Sequence, residues 1–412
     1  MTLTMAILFW RTLLGIAVFG LFSSFVFLLL VVIATVRFKK REHASSRLVS
    51  SVSSDTLPPV TILKPVHGME ERLEQNLESF FLQDYPDFEI IVGARSGDDP
   101  AVALAEMLRL RYPGVKSRIV ISGPPRWPNA KVFTLDKMIP LSRNDLFVIS
   151  DSDVRVERDF LRNVIPPLLN QKPGEQNIGL VTCLYRGDPA ADFWSLLEAL
   201  GMSVEMPSGV VVADMLEGIR FALGPAVAFR RDALDAIGGI AATADYYSDD
   251  YVLGNKIWAA GYKVIFSHHF VYHVLTPRTF RRTLGDQLRW MKSTRHSRPW
   301  GHVGTGLTFA MPFGVLGFVA AAGLGDLRLG VALLAVAFLN RVIQSVAVGW
   351  GLLRDPRALR LCWLYPLRDF QGFVVWAGSY LSRNFYWRGE MYRFTAGGKI
   401  VAQSRKAANV AH

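Results

Sequence analysis

The acidic step Asp151-Ser152-Asp153 follows the apolar run Leu146-Phe147-Val148-Ile149 directly. A short apolar run ended by carboxylates reads as a buried strand that delivers them to the crevice where α/β sheets bind ligands. Side chains two apart on an extended chain share one face, so Asp151 and Asp153 make half of a hard-cation site. Mg²⁺ or Mn²⁺ takes one or two protein carboxylates together with substrate phosphates, which is the chemistry of holding a nucleotide-diphosphate sugar. The plain alternative is a triplet that caps a helix or sits on a wet loop.

Four further places carry reactive side chains. In Asp98-Asp99-Pro100 a carboxylate could grip a uracil or ribose edge, or simply cap the next helix. Pro128-Asn129-Ala130-Lys131 offers the Lys131 ammonium to phosphate oxygens, against an ordinary exposed lysine. Tyr247-Ser248-Asp249-Asp250-Tyr251 precedes an apolar helix; Ser248 or Asp249 suits its N-cap and leaves Asp250 to take a proton from an attacking hydroxyl. Arg289-Trp290 could bond a departing diphosphate through Arg289 while Trp290 packs a sugar or lipid acceptor, or anchor the chain at a membrane edge. His268, His269 and His273 could complete a divalent site or line a strand as surface or core residues. No Walker loop, dinucleotide fingerprint, Gly-x-Ser-x-Gly or zinc motif is present.

Strand-like runs at Val60-Leu63, Glu89-Val92, Arg118-Ile121 and Leu146-Ile149 alternate with amphipathic stretches at Glu70-Leu82 and Ala101-Leu110. That alternation predicts an α/β fold with a parallel sheet flanked by helices. From Asn177 to Tyr272 the pattern is less regular, with long apolar faces around Trp194-Met206. Half of the 412 residues are hydrophobic and 20% are charged, with a mean hydropathy of +0.23. A soluble domain with appended membrane segments fits both figures.

The uncharged stretch between Arg11 and Arg37 is long enough to cross a bilayer of ~30 Å as a helix. It is too long for a secretory apolar region and no cleavage pattern follows, so it reads as a retained anchor. Arg37, Lys39, Lys40 and Arg41 follow it, which places the rest in the cytoplasm. Ser45 to Pro59 reads as a linker. Greasy stretches return at Thr305-Leu324 and Leu329-Trp350. Leu361-Ser382 contains Arg368 and Asp369 and is expected to lie in the interface or re-enter rather than cross. Placing the basic tail, with Arg388, Arg393, Lys399, Arg405 and Lys406, on the cytoplasmic side argues the same way. The net charge of +11 concentrates beside apolar spans, which favours lipid headgroups and substrate phosphates and speaks against nucleic acid. Cys183 and Cys362 have no metal-ligand spacing and no disulfide is expected.

Leu63-Lys64-Pro65, Asp84-Tyr85-Pro86, Asp98-Asp99-Pro100, Asp151-Ser152-Asp153, Gly179-Leu180-Val181, Asp249-Asp250-Tyr251 and Arg289-Trp290 occur in an order that resembles the ceramide glucosyltransferase family, glycosyltransferase family 21. The likeness runs from about Pro59 to Trp300, and again at Trp387-Arg388 and Tyr392-Arg393. Trp127-Pro128-Asn129-Ala130-Lys131, Val181-Thr182-Cys183-Leu184-Tyr185-Arg186-Gly187 and Arg289-Trp290-Met291-Lys292-Ser293-Thr294-Arg295 resemble the branch of bacterial hopanoid-biosynthesis glycosyltransferases, associated with adding N-acetylglucosamine to bacteriohopanetetrol.

The resemblance implies a GT-A catalytic domain at 59–300 between a transmembrane anchor (1–36) with its linker (37–58) and C-terminal transmembrane or interfacial helices (301–382), ending in a basic cytoplasmic tail (383–412). It implies a multi-pass protein of the bacterial inner membrane, catalytic domain facing the cytoplasm. The expected reaction is inverting transfer of N-acetylglucosamine or glucose from a UDP-sugar to a lipid hydroxyl, with Mg²⁺ or Mn²⁺ as cofactor and a hopanoid polyol or ceramide as acceptor. By residue, it implies Asp99 near the nucleotide, Asp151 and Asp153 at the diphosphate and its metal, and Asp250 as base; the side chains themselves add Asp98, Lys131 and Asp249 at the nucleotide sugar and Arg289 and Trp290 at the reacting groups. Related processive synthases end their motif Gln-x-x-Arg-Trp; here Asp286 stands at the Gln position and Gln287 is shifted by one. The alternatives are a ceramide glucosyltransferase, a processive polysaccharide synthase and a silent sensor of nucleotide sugars.

Overall fold

The computed structural model describes residues 3–51, 57–169, 174, 176–387 and 389–403. Part of the expected linker (52–56), Arg388, and the tail from 404 with Arg405 and Lys406 lie outside the described residues. The chain forms two compact units, one of residues 41–188, 218–276 and 384–412, the other of 1–40, 189–217 and 277–383.

In the first unit the strands are β1 (Val60–Pro65), β2 (Phe88–Ala94), β3 (Lys116–Ile121), β4 (Leu146–Ser150), β5 (Val154–Arg155), β6 (Ile178–Asp188), β7 (Ala226–Arg230) and β8 (Lys263–Val274). They build one sheet in the order β3-β2-β1-β4-β7-β6-β8-β5. The pairs β3/β2, β2/β1, β1/β4 and β6/β8 are parallel, whereas β7 runs antiparallel to both β4 and β6, and β5 antiparallel to β8. The predicted parallel core is therefore present with an antiparallel strand inserted beside it. β1 buries five successive residues and β4 all five, as expected of strands covered on both faces. One face packs Leu73, Leu77 and Phe80 of α2 (Leu73–Phe81) and Leu104 and Leu108 of α3 (Pro100–Arg111) into the core with Ile62, Ile90 and Val148. Remaining helices are α4 (Ala130–Met138), the short α5 (Phe160–Val164) and α6 (Pro166–Leu169), α8 (Arg231–Asp235) and α9 (Asp249–Ala259).

Within the segment expected as a basic cytoplasmic tail, β9 (Asn384–Trp387), β10 (Glu390–Phe394) and β11 (Ile400–Ala402) form an antiparallel sheet. Its Phe385, Tyr392, Phe394 and Ile400 form a small core against Tyr247. Ile400 N–H bonds to the Asp245 carbonyl at 2.8 Å, so the sheet braces the residues immediately before α9.

The second unit holds α1 (Leu3–Ser51) as far as Lys40, α7 (Phe193–Glu217), α10 (Phe280–Ser297), α11 (Pro299–Gly306), α12 (Met311–Gly323), α13 (Leu327–Gln344, continued as a π-helical turn to Trp350), α14 (Pro356–Arg360) and α15 (Tyr365–Gly378). α1 continues through Ser51, so the stretch expected as linker from residue 37 is helical to that point. Residues 4–42, 193–217 and 327–350 are long and apolar enough to cross a membrane, and α11 with α12 form a bent pair of the same quality. α7, placed inside the catalytic domain by sequence, belongs to this unit. It does not carry the chain across a bilayer, because β6 before it and β7 after it are paired in one sheet. α15, with 14 residues, is about 21 Å long, short of a ~30 Å hydrocarbon layer.

The Asp369 carboxylate of α15 is satisfied internally, which is the condition for holding it at membrane depth. Asp369 accepts from Ala310 N–H and Met311 N–H at 3.0 and 2.8 Å, capping α12 at the break after α11, and pairs with Arg341 at 3.0 Å. Arg341 also bonds Ser24 Oγ at 2.7 Å, and Ser24 donates to the Thr308 carbonyl. Free backbone groups at the helix break are thus met by protein partners.

Candidate active site

β1, β2 and β4 are parallel neighbours, so the loops after them emerge at one edge of the sheet, and the Asp151 step follows β4 there. Lys64, fully buried near the end of β1, donates to Ser150 Oγ and to the Asp151 carbonyl and stands 4.0 Å over the Phe80 ring. Burial lowers its ammonium to about 7 against the opposing pull of Asp151, Asp153 and Glu70. This lysine is a buried strut for the acidic loop, and the Leu63-Lys64-Pro65 string contains it.

β7 delivers the second half. Ala226 pairs with Ser150 and Asp151 N–H bonds the Pro225 carbonyl at 3.3 Å, so Gly224 lies against the acidic step. A Cβ on Gly224 would stand 2.9 Å from Asp250 Oδ2 and 3.6 Å from Asp151 Oδ2. The glycine therefore sits where two carboxylates nearly a hundred positions apart converge. Lys131 Nζ lies 2.7 Å from Asp151 Oδ1 and 3.2 Å from Asp249 Oδ2. Burial would lower this ammonium, but Asp151, Asp249 and Asp250 together hold it well above the ordinary lysine value. It is a clamp between carboxylates rather than an exposed lysine.

Asn129 orders this corner. Its Oδ1 accepts from Lys131 N–H and Val132 N–H as the cap of α4, and its Nδ2 reaches the Tyr246 carbonyl and Asp249 Oδ1 at 2.9 and 3.2 Å. Asp249 and Asp250 open the first turn of α9, where the helix dipole favours negative charge. Burial and the adjacent Asp249 nonetheless push the Asp250 carboxyl up to about 7, with Lys131 and the Tyr251 N–H pulling the other way.

Asp153 and His273 meet through β5. Val154 pairs with His273, Val274 N–H bonds the Asp153 carbonyl at 2.7 Å, and His273 Nε2 stands 3.4 Å from Asp153 Oδ2. Asp153 Oδ1 and His273 Nδ1 are buried with no hydrogen-bond partner among the described residues. Oxygen and imidazole donors with orphaned atoms fit a divalent cation. The three histidines do not share one site: His269 faces Asp159 at 3.9 Å, and burial takes His268 down to about 4.

Asp99 caps α3 through Ala101 N–H at 3.0 Å and binds Gly68 N–H with both oxygens at 2.9 and 3.0 Å. Burial opposes its charge, yet the Gly68 and Ala101 N–H groups and His67 leave its carboxyl below the usual range. It ties the loop after β1 to the one after β2, while Asp98 is exposed. Arg289 and Trp290 lie on α10 in the helical unit. Arg289 pairs with Asp286 at 2.8 Å, and Arg278 binds the same carboxylate. The residue standing at the Gln position of the processive motif thus holds the motif's arginine.

Sequence reasoning missed Gly224, Lys64 as a strut, the pairing of His273 with Asp153, and the tail sheet behind Tyr247. The histidine left a signal as one of three in a strand-like run, Lys64 as part of the Leu63-Lys64-Pro65 string, and the tail in its alternating aromatics, whereas Gly224 left none.

The chain is similar to known proteins along most of its length. It is 24% identical to ceramide glucosyltransferase 3 of Caenorhabditis elegans over 94% of this chain and 82% of that one. It is 23% identical to the beta-monoglucosyldiacylglycerol synthase of Synechocystis over 48% of this chain and 40% of that one. The mannosyltransferase of Pyrobaculum calidifontis, solved with GDP-Man and Mn²⁺, shares the fold with a TM-score of 0.50 at 19% identity, covering 88% of this chain and 98% of that one. This is the mainly parallel GT-A arrangement. Residues 24–400 match the family model described as Glycosyl transferase family 21, and the chain belongs to that family.

Proposed function

We propose that the protein transfers a sugar, N-acetylglucosamine or glucose, from a UDP-sugar to a lipid hydroxyl with inversion, and that its acceptor is bacteriohopanetetrol, with ceramide the alternative. The observation that carries the reading is the convergence of Asp151 and Asp250 on Gly224, with Asp153 two positions along the same step and paired with His273. Lipid acceptors are the common theme of the relatives' names, and the sequence strings around Trp127, Val181 and Arg289 favour the hopanoid branch.

Asp151, Asp153 and His273 would hold a divalent cation, Mg²⁺ or Mn²⁺, which when bound neutralises charge on a departing diphosphate. Lys131 adds fixed positive charge at the same place, preorganised by Asp151 and Asp249 so that it needs no rearrangement during reaction. Asp250 is the general base. A carboxyl near 7 holds a proton firmly enough to draw it from a hydroxyl and is still half ionised at neutral pH. The hydroxyl attacks the anomeric carbon opposite the leaving UDP, and an α-linked donor yields a β-glycoside. Asp98, Asp99 and Asp249 line the nucleotide end, and Arg289 with Trp290 serves the leaving group and acceptor. The basic run Arg37, Lys39, Lys40 and Arg41 after the first span supports an inner-membrane location with the sheet unit in the cytoplasm.

The test is purified protein in nanodiscs, with UDP-glucose, UDP-galactose and UDP-N-acetylglucosamine each offered against a hopanoid polyol, ceramide and diacylglycerol, with and without EDTA. Sugar in a hopanoid product, abolished by EDTA and restored by Mn²⁺ or Mg²⁺, is the expected result. Transfer to ceramide alone would replace the acceptor, a lipid-free polymer would replace the reaction class, and UDP binding without any turnover would leave only a sensor.

A further inference from the structure

Three helices of the helical unit share a seam of buried polar atoms that the mechanism does not use. Arg368 on α15 pairs with Glu205 of α7 at 2.9 Å and donates to Gln287 Oε1 of α10 at 2.7 Å. Around that triad the atoms are short of partners. Gln287 Nε2, Arg368 Nε, Thr283 Oγ1 and both amide atoms of Gln371 are buried with no hydrogen-bond partner among the described residues. Thr283 stands one turn before Gln287 on the same face of α10, and Gln371 one turn after Arg368 on α15. Each orphaned group carries its desolvation cost in full, and such a concentration within one apolar helical unit calls for a ligand or ordered solvent.

Two further features favour an amphipathic ligand over water alone. Glycines let the polar side chains lie directly against the helix backbones: a Cβ at Gly201 would collide with Arg368 Nε, and one at Gly372 would stand 3.5 Å from both Glu205 oxygens and 3.1 Å from the Phe309 ring. That ring begins an aromatic shelf, with Phe309 and Phe373 centroids 5.7 Å apart and Phe373 stacked on Trp376 at 5.6 Å. An apolar wall directly beside donors and acceptors suits a molecule greasy at one end and hydroxylated at the other. Glu205 and Arg368 cancel in charge, so the seam does not select an anion, and a mixed set of donors and acceptors is what hydroxyl groups satisfy.

We infer that the seam between α7, α10 and α15 binds the neutral, hydroxyl-bearing headgroup of the lipid acceptor, through Gln371, Gln287, Thr283 and the Glu205–Arg368 pair. This inference rests on the lipid glycosyltransferase reading and names where its acceptor is held. These are binding residues, and they move no proton in the reaction.

The test uses the full chain in nanodiscs without donor. Binding is measured for a radiolabelled lipid with a tetrol head, its permethylated ether and phosphatidic acid, to wild type, Gln371→Leu, Gln371→Asn and the near-isosteric Thr283→Val. Wild type is expected to prefer the tetrol lipid. Gln371→Leu and Thr283→Val are each expected to lose roughly 10-fold for it, with no change for the ether and partial recovery in Gln371→Asn. With donor present, the same variants should raise the acceptor KM by that factor while the UDP-sugar KM stays put. If both bind the tetrol lipid as wild type does, or if phosphatidic acid binds wild type best, the inference is overturned, even where transfer to lipid proceeds. Gln371-dependent tetrol binding in a protein that transfers sugar to no lipid would keep the seam and sink the transferase reading instead.

Discussion

Gly224→Ala is the sharpest structural test of the converging carboxylates. The added methyl group would lie 2.9 Å from Asp250 Oδ2, and ordinary contact begins at 3.4 Å, so about 0.5 Å must be found. Gly224 does not occupy the left-handed region, so its backbone accepts alanine and the strain falls on the carboxylate. Asp250 must turn away from Gly224, which shifts the carboxylate from the position in which Asp249 and Lys131 act on it. A misplacement of 1 Å in a reacting group costs on the order of 100-fold, so half that shift should lower kcat roughly 10-fold, or about 1.4 kcal/mol in barrier. Donor affinity, by isothermal titration with UDP, should change little. Initial rates of UDP release in nanodiscs measure the first quantity, with Gly114→Ala as control because nothing lies within 4 Å of its Cβ. A Gly224→Ala enzyme with wild-type kcat would refute the convergence of Asp151 and Asp250 as the reacting centre.

Asp153→Asn and His273→Ala should each weaken Mn²⁺ binding in the presence of UDP at least about 10-fold by electron paramagnetic resonance, and wild-type affinity in either would remove that residue from the cation site. If Asp250 is the base, the acid limb of kcat/KM should fall near pH 7, since its carboxyl is pushed up to about 7 and a base acts only when ionised. Removing the nearby positive charge in Lys131→Met should move that limb upward, whereas a limb at the ordinary carboxylate pH in both enzymes would contradict the base assignment. Breaking the Arg341–Asp369 pair, both partners 2% exposed, by Arg341→Met should cost about 3–5 kcal/mol by leaving a buried charge unpaired. The double variant Arg341→Met with Asp369→Leu should be less damaged in thermal unfolding than the single one.

Local pattern made the first half of the sheet legible. Runs at Val60, Glu89, Arg118 and Leu146 correspond to β1 to β4, and the amphipathic stretches from Glu70 and Ala101 to α2 and α3, because a strand buried on both faces and a one-sided helix each declare themselves within a few residues. The second half is built by pairing across distance. β7 inserts antiparallel between β4 and β6, and no local periodicity announces a partner some eighty residues away. For the same reason Gly224 was silent, its importance lying wholly in what approaches it. Carboxylates could be nominated by their type and order, but their clustering needed the sheet register, and His273 gained its place only through the pairing of β5 with β8. α7 reads as an ordinary apolar helix until its Glu205 and buried Ser203 and Ser208 are seen to face helical partners such as Asp355 and Gln344. The tail's basic residues drew attention from its alternating aromatics, which are what fold it against Tyr247.

The central claim is that Asp250 takes the proton from the acceptor hydroxyl at a centre formed with Asp151 and Asp153. Its most direct test is Asp250→Asn, nearly identical in shape and unable to act as a base at neutral pH, assayed for transfer of labelled sugar from UDP-sugar to extracted lipid alongside UDP affinity. The account predicts that transfer falls by roughly 100-fold or more while UDP binds almost as it does to the wild type. Normal turnover in Asp250→Asn would contradict it.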